Sequence, residues 1–360
     1  MQKFILFFIF IFIYCKTDTN NKNNNSQAQI NCIIYPNTEG LRLRATPGEN
    51  GKEIQTLDVD EPLIDLNECS NFNSRIKIDG NWYDEPWIKV KTYKNVVGWV
   101  FAGAVRFIGD TPSASTMALL EKRTKSTFGI ENFNKIINYR IKYQEAVTDQ
   151  ELQQVLMEGD QLRLELEKIL LKKATVSEET GYILNYNWLD VLLPGYQATL
   201  AVATTEYNIF KDYRQLKVKA KSTTGDADNQ YVKYSIEYYP DSIEYICGKY
   251  NMLLPNFKTT SLLGDGKHFE LLKKANELNK LKYFHQEIIG FKNHIIDDIT
   301  GMNGITYWNS KDKILEEINK IISSSFEILS KEDQIALETR RDQFKNAAEN
   351  KIILNLRTGE

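Results

Sequence analysis

The order of apolar and polar positions divides this 360-residue chain into four textures. Behind Lys3 comes an unbroken apolar run, Phe4–Tyr14, that ends at Cys15; its eleven residues fall short of the roughly 20 that cross a bilayer. Lys16–Asn31 is polar, centred on Asn20-Asn21-Lys22-Asn23-Asn24-Asn25, and shows no apolar periodicity. Such a stretch buries too little surface to offset the entropy of ordering it, so it reads as a flexible tether. From Cys32 to Phe107 apolar and polar residues alternate in short runs, the period of strands. From Thr111 onward the apolar residues recur at helical spacing.

Turn residues punctuate the strand-like region. Leu41-Arg42-Leu43-Arg44 alternates cleanly, then breaks at Pro47-Gly48 and Asn50-Gly51. Ile54–Leu57 and Pro62–Leu66 follow as short strands. Arg75-Ile76-Lys77-Ile78 runs into the turn pair Asp79-Gly80, with Asn81-Trp82-Tyr83 beyond it. Trp87-Ile88-Lys89-Val90 and Val96-Val97-Gly98-Trp99-Val100 close the series on either side of Lys94-Asn95. Strands this short and evenly spaced predict a small closed or partly open barrel.

In the helical region Thr111-Pro112 reads as a cap with a first-turn proline. Thr148-Asp149-Gln150-Glu151 is a capping box ahead of Leu152, Val155, Leu156, Leu162, Leu166, Ile169 and Leu170. Ile314, Ile318, Ile321, Ile322, Phe326 and Leu329 share one face of a later helix, and Ser330-Lys331-Glu332-Asp333 caps a last one carrying Leu337, Phe344, Ala348 and Ile352. The expected class is therefore multi-domain, β then α: leader at 1–14, tether at 15–31, small barrel at 32–110, all-α domain without strands at 111–360.

Two stretches carry a family resemblance. Gly40-Leu41-Arg42-Leu43-Arg44-Ala45-Thr46-Pro47, then Trp87-Ile88-Lys89-Val90, then Gly98-Trp99-Val100 with a closing strand through Phe107, resemble in order a bacterial SH3-type domain over about residues 32–108. That resemblance implies a barrel of five or more strands with a non-catalytic targeting role, often toward cell-wall peptides or a partner domain. The segment Glu68–Glu85 lengthens the family pattern before the Trp87 strand. The basic start, apolar run and terminal Cys15 resemble a bacterial lipoprotein signal, which implies that Cys15 becomes the lipid-modified first residue. Tyr14 stands where that family prefers a small residue; an ordinary secretory signal or a short uncleaved anchor is the other reading of the run.

Composition narrows the chemistry. Net charge is −3, from 45 basic and 48 acidic side chains, which leaves no basic field for nucleic acid. Of four cysteines, Cys32 and Cys69 fall in the expected barrel and could close a disulfide stabilising by about 3–4 kcal/mol, while Cys247 reads as a small buried residue. The three histidines are His268, His285 and His294, and only His294 with Asp297 and Asp298 offers ligand types at helical spacing. That set lacks the paired histidines of a helical zinc motif, so no metal and no cofactor is expected. No nucleophile elbow or phosphate loop occurs, and Cys247 has no adjacent base.

The 19 tyrosines and five tryptophans are the remaining resource. Trp82, Tyr83 and Tyr93 are the candidate ligand-binding residues, since flat amphipathic rings stack on peptide and sugar faces. Trp87 and Trp99 are expected to fill the small core, and the tyrosines of 231–250 to pack. The chain thus reads as an exported, lipid-anchored envelope protein that binds cell-wall peptide or glycan, or an envelope partner protein. The alternatives are a cell-wall hydrolase targeted by the barrel, and a structural protein whose barrel docks on its own helices.

Overall fold

Alternation along Ile33–Pro36 (β1) and Leu41–Arg44 (β2) sends Ile34, Leu41 and Leu43 into the core while Arg42 stays exposed. Glu53–Leu57 (β3), Leu63–Ile78 (β4), Asn81–Thr92 (β5), Val97–Phe101 (β6) and Val105–Phe107 (β7) complete a seven-stranded sheet in the order β3-β2-β6-β5-β4-β1-β7. Every pairing in it is antiparallel. Among the described residues β3 and β7 are edges, so the pairing does not run round into a closed ring. The computed structural model describes residues 33–78, 81–107, 112–172, 186–201, 206–239, 241–244, 251–253, 259–300 and 306–346. The leader, the tether, Cys15, Cys32, Cys247 and the Asp79-Gly80 turn lie outside these residues.

The segment that lengthens the family pattern forms neither a loop nor a separate hairpin. It extends β4 and β5 into a long two-stranded arm, in register from Asn73↔Pro86 to Ile78↔Asn81, after bulges between Asp65 and Cys69 and between Cys69 and Asn73. Bulges raise local twist, which lets two long strands leave the plane of a small sheet.

Ala114–Glu145 (α1) follows the sheet, with its axis broken at Gly129, whose φ of 84° and ψ of 165° are non-helical. Its cap is Ser113, one residue beyond the expected Thr111-Pro112 pair: Thr116 N–H donates to Ser113 Oγ at 3.1 Å. Asp149–Leu170 (α2) has the capping box expected of Thr148 and Glu151, and it buries Leu152, Val155, Leu156, Leu162, Leu166 and Leu170.

The expectation of a strand-free second half is overturned. Tyr196–Ala201 (β8) and Glu206–Lys211 (β9) form an antiparallel hairpin, paired from Tyr196↔Lys211 to Ala201↔Glu206. Asn251–Leu253 (β10), Thr259–Ser261 (β11) and Thr306–Tyr307 (β12) form a second small sheet, in which β12 lies parallel to β11. The remaining helices are Tyr213–Ala220 (α3), Ala227–Tyr238 (α4), Lys267–Leu278 (α5), His285–Thr300 (α6), Lys311–Ser323 (α7) and Lys331–Asn346 (α8). Among the described residues no helix is long and apolar enough to cross a membrane.

Sheet and helices share one continuous hydrophobic cluster, from Ile34 through Leu120 and Tyr196 to Phe344, and lie in one compact unit, Cys32–Glu360. Polar contacts fix α1 to the sheet. Buried Asp65 on β4 accepts from Ser113 Oγ at 2.5 Å and Thr116 Oγ1 at 2.7 Å, and Ser115 N–H donates to Asn67 Oδ1 at 3.0 Å. Arg123 on α1 donates to Glu85 Oε1 at 2.8 Å and to the Ala102 carbonyl at 3.2 Å.

The helical half is packed with tyrosine. Tyr231 stacks on Phe284 at 4.6 Å, Tyr213 stacks on Tyr239 at 5.6 Å, and Phe291 meets Tyr234 edge-on at 5.2 Å. These rings are core, as expected of the tyrosine-rich stretch. A part-buried ion cluster ties α2 to β9: Arg163 forks onto Glu244 at 2.6 and 3.3 Å, and buried Lys211 Nζ donates to Asp160 Oδ2 at 2.6 Å. Burial acts to raise the Glu244 carboxyl, but Lys211 and Arg163 outweigh it and hold it below the ordinary carboxylate range.

Candidate functional site

Because β2 alternates, Arg42 and Arg44 point to one side of the strand and Leu41 and Leu43 to the other. The same rule on β5 and β6 puts Trp87 opposite Phe101 and Lys89 opposite Trp99. Strands β2 and β6 approach so closely that a Cβ on Gly98 would sit 2.7 Å from the Leu43 side chain and 2.8 Å from the Arg44 carbonyl. Glycine at that position is what lets Arg44 stand over the Trp87 face.

There β2, Trp87 and the far end of the arm, Ile76–Ile78, enclose a groove of about 400 Å³, lined among others by Leu41, Arg42, Arg44, Ile76, Lys77 and Trp87. This lies within the roughly 300–1,000 Å³ of small-ligand sites. Trp87, only 2% exposed, forms the floor with Phe101, their rings 5.7 Å apart. The indole is pinned: Trp87 Nε1–H donates to Ser74 Oγ at 2.8 Å, and its backbone N–H donates to Ser70 Oγ at 2.9 Å. The Arg44 guanidinium carbon lies 5.8 Å from the Trp87 ring centre, and its NH1 donates to the Gly51 carbonyl at 2.7 Å. Arg44 Nε is shielded from water and has no hydrogen-bond partner. Arg42, Arg44 and Lys77 bring positive charge to the groove, and Glu49 is the acid in its lining. Arg42 also pairs with Glu53 at 3.3 Å on the surface.

The three aromatics singled out from the sequence do not converge. Trp82 is 55% exposed on the arm, beneath Arg75 at 5.1 Å and Lys77 at 5.9 Å. Tyr83, the next residue on the strand, faces the other way and packs half-buried against the core. Its Cβ would lie 2.9 Å from a Cβ on Gly103. Burial first, then Tyr83, pushes up the hydroxyls of Tyr186 and Tyr207. Tyr93 is 61% exposed beside Lys94 in the β5–β6 turn, eleven residues from Trp82, or roughly 36 Å along a strand. Trp82 and Tyr83 both neighbour the groove, through their register partners Lys77 and Ile76, and of the two Trp82 is the exposed one. Trp99, expected in the core, is half-buried under Lys89 at 5.8 Å; the buried tryptophan is Trp87.

Arg44 and Ser74 escaped the sequence reading. The signal for Arg44 was present, since period-two alternation in Leu41–Arg44 already puts both arginines on one face. Nothing local marks Ser74, which reaches Trp87 only across the arm.

Cys69 is exposed on β4 and borders a smaller cavity of about 210 Å³ against Ser115, Leu119 and Lys122 of α1. Its proposed partner Cys32 lies outside the described residues. Among the described residues no group of three or more His, Cys, Asp and Glu side chains is placed to hold a metal ion. His294 and Asp297 are exposed on α6, whereas Asp298 turns inward. Asp298 Oδ2 accepts from Ser261 Oγ at 2.8 Å and meets His268 Nε2 at 2.5 Å. The carboxylate, not the imidazole, meets the hydroxyl, which is not the order of an acyl-transfer triad. His285 is half-buried at the start of α6.

No family model, no curated protein and no solved structure matches this chain.

Proposed function

We propose that this chain is an exported envelope lipoprotein, anchored through Cys15, whose sheet is an SH3-type module that binds cell-wall peptide or glycan. The observation that carries the reading is the groove between β2 and the arm: preformed, floored by Trp87 and Phe101, and rimmed by charge. One side of it is built from the segments that resemble the SH3-type family, Leu41–Arg44, Trp87 and the strand after Gly98; the other, Ile76–Ile78, belongs to the segment that lengthens that pattern. Trp82 stands beside it, exposed as a contact aromatic should be. The clamp of α1 on Asp65 and Glu85 gives the arm a rigid footing, so the helical half serves as support and partner surface.

Capture of the full mature chain on purified peptidoglycan tests the binding. The native protein is expected to be retained. Trp82→Ala is expected to weaken retention by roughly thirtyfold, the loss of about 2 kcal/mol typical of a contact aromatic, with an unchanged melting curve. A native chain that washes through with the void volume overturns the cell-wall reading and leaves an envelope protein as the ligand. Cys15→Ser tests the anchor: the substituted chain is expected to leave the detergent phase for the aqueous one.

A further inference from the structure

An unpaired donor and an excess of positive charge meet in the groove. The Arg44 guanidinium carries five N–H donors in a planar fork and keeps its charge at all ordinary pH. One terminal nitrogen is committed to the Gly51 carbonyl. The Nε–H, in contrast, is shielded from water and has no acceptor, a cost that is relieved when the fork turns to meet one. The side chain is already positioned, because it lies over Trp87 and a cation over an indole face is held by the ring quadrupole. Positioning of this kind removes the ordering cost that a flexible arginine bears on binding.

The acceptor that matches a guanidinium fork is a planar carboxylate, taken by two parallel N–H bonds. Arg42 and Lys77 add positive potential at the rim. Beside the fork, half-buried Ile76 and Ile78 offer apolar surface for the residue next to the charge, above the buried Trp87 and Phe101. The volume of about 400 Å³ suits the end of a short chain and not a folded domain. We infer that the groove is a carboxylate-binding site that takes the free C-terminal end of a short apolar peptide. Arg44 is its anchor, Lys77 and Arg42 supply the flanking charge, and Trp87 is the floor. This assignment rests on the groove being the binding site of the proposed function, and it names the ligand's chemistry.

The test titrates the full mature chain with acetyl-alanyl-alanine bearing a free C-terminus and, separately, with its C-terminal amide. The free acid is expected to bind at least about tenfold more tightly, as a charge-assisted hydrogen bond allows, and to weaken as salt is added. Arg44→Gln keeps a donor for Gly51 and is expected to abolish the preference for acid over amide. Arg106→Gln, a cation on β7 that pairs with Asp60, is expected to keep it. Melting curves run beside the titrations, and Lys77→Gln on the exposed arm serves if Arg44→Gln unfolds, its expected effect being a several-fold weaker acid and an unchanged amide.

Equal affinity for acid and amide overturns the inference, as does an acid preference that survives in a folded Arg44→Gln or, should that variant unfold, an acid affinity that Lys77→Gln leaves unchanged. Displacement of the peptide by inorganic phosphate at lower concentration than by acetate also overturns it, since the site is then a phosphate site. Retention on peptidoglycan separates the two readings. Retention that Arg44→Gln leaves intact removes the carboxylate assignment and keeps the cell-wall binder. An acid preference without retention keeps the carboxylate site and removes the cell wall as its source.

Discussion

The two halves of this protein treat the same kinds of side chain in opposite ways. The helical half hides its aromatics and pairs its charges inside: Tyr213, Tyr231 and Tyr234 are buried, and Lys211, Arg163, Asp160 and Glu244 form a cluster between α2 and β9. The sheet half leaves Trp82 and Tyr93 exposed and places Arg44 over an indole with a donor unspent. The helical half spends its rings on its own core; the sheet half leaves two aromatics at the surface, and the groove under the proposed function lies there.

The largest effects sharpen this contrast. Lys211→Met takes the buried Nζ from Asp160 and leaves Arg163 alone to pair with Asp160 and Glu244; it is expected to destabilise by about 3 kcal/mol, read from the urea midpoint. Trp87→Ala is expected to cost a similar 3–5 kcal/mol or so, because it empties the floor of the sheet half. If Trp99→Ala costs as much as Trp87→Ala, the assignment of the buried tryptophan is reversed.

Next comes a pH effect that two carboxyls pull in opposite directions. Burial, then the nearby Asp212, pushes Asp190 up to about 7, against a bond from Ala198 N–H at 2.6 Å. A carboxyl raised in the fold binds its proton more tightly there than when unfolded. Asp190 therefore costs stability as pH rises from the ordinary carboxylate range through about 7. Asp190→Asn keeps the acceptor and is expected to raise stability at pH 8 on the order of 2–4 kcal/mol while changing little near pH 4. Glu244 has the opposite sign: held low, its stabilisation is present above the ordinary carboxylate range and is lost as pH falls through its lowered value. A melting profile of Asp190→Asn parallel to that of the native chain from pH 4 to about 8 rules out the Asp190 assignment.

Smaller effects complete the series. Thr148→Ala removes the α2 cap and is expected to cost about 1 kcal/mol. Trp82→Ala is expected to change stability by less than about 0.5 kcal/mol, since its ring is exposed. A large loss of stability on that change means the arm aromatics are core and breaks the comparison between the halves.

Local rules determined much of this protein from sequence alone. Period-two alternation placed β2 and the Trp87–Val90 part of β5, turn residues set off β3 and β6, and capping signals placed the starts of α2 and α8, because each depends on residues within one turn or one strand. The tertiary structure decided what depends on residues far apart. It converted the segment before Trp87 into an arm, paired β11 with β12 across Thr260↔Thr306, and brought Ser261, His268 and Asp298 together. It also put Ser74 under the Trp87 indole and sent Trp82 and Tyr83 to opposite faces of β5. Periodicity reports which face a side chain occupies on its own element; only the packing of elements decides what that face meets.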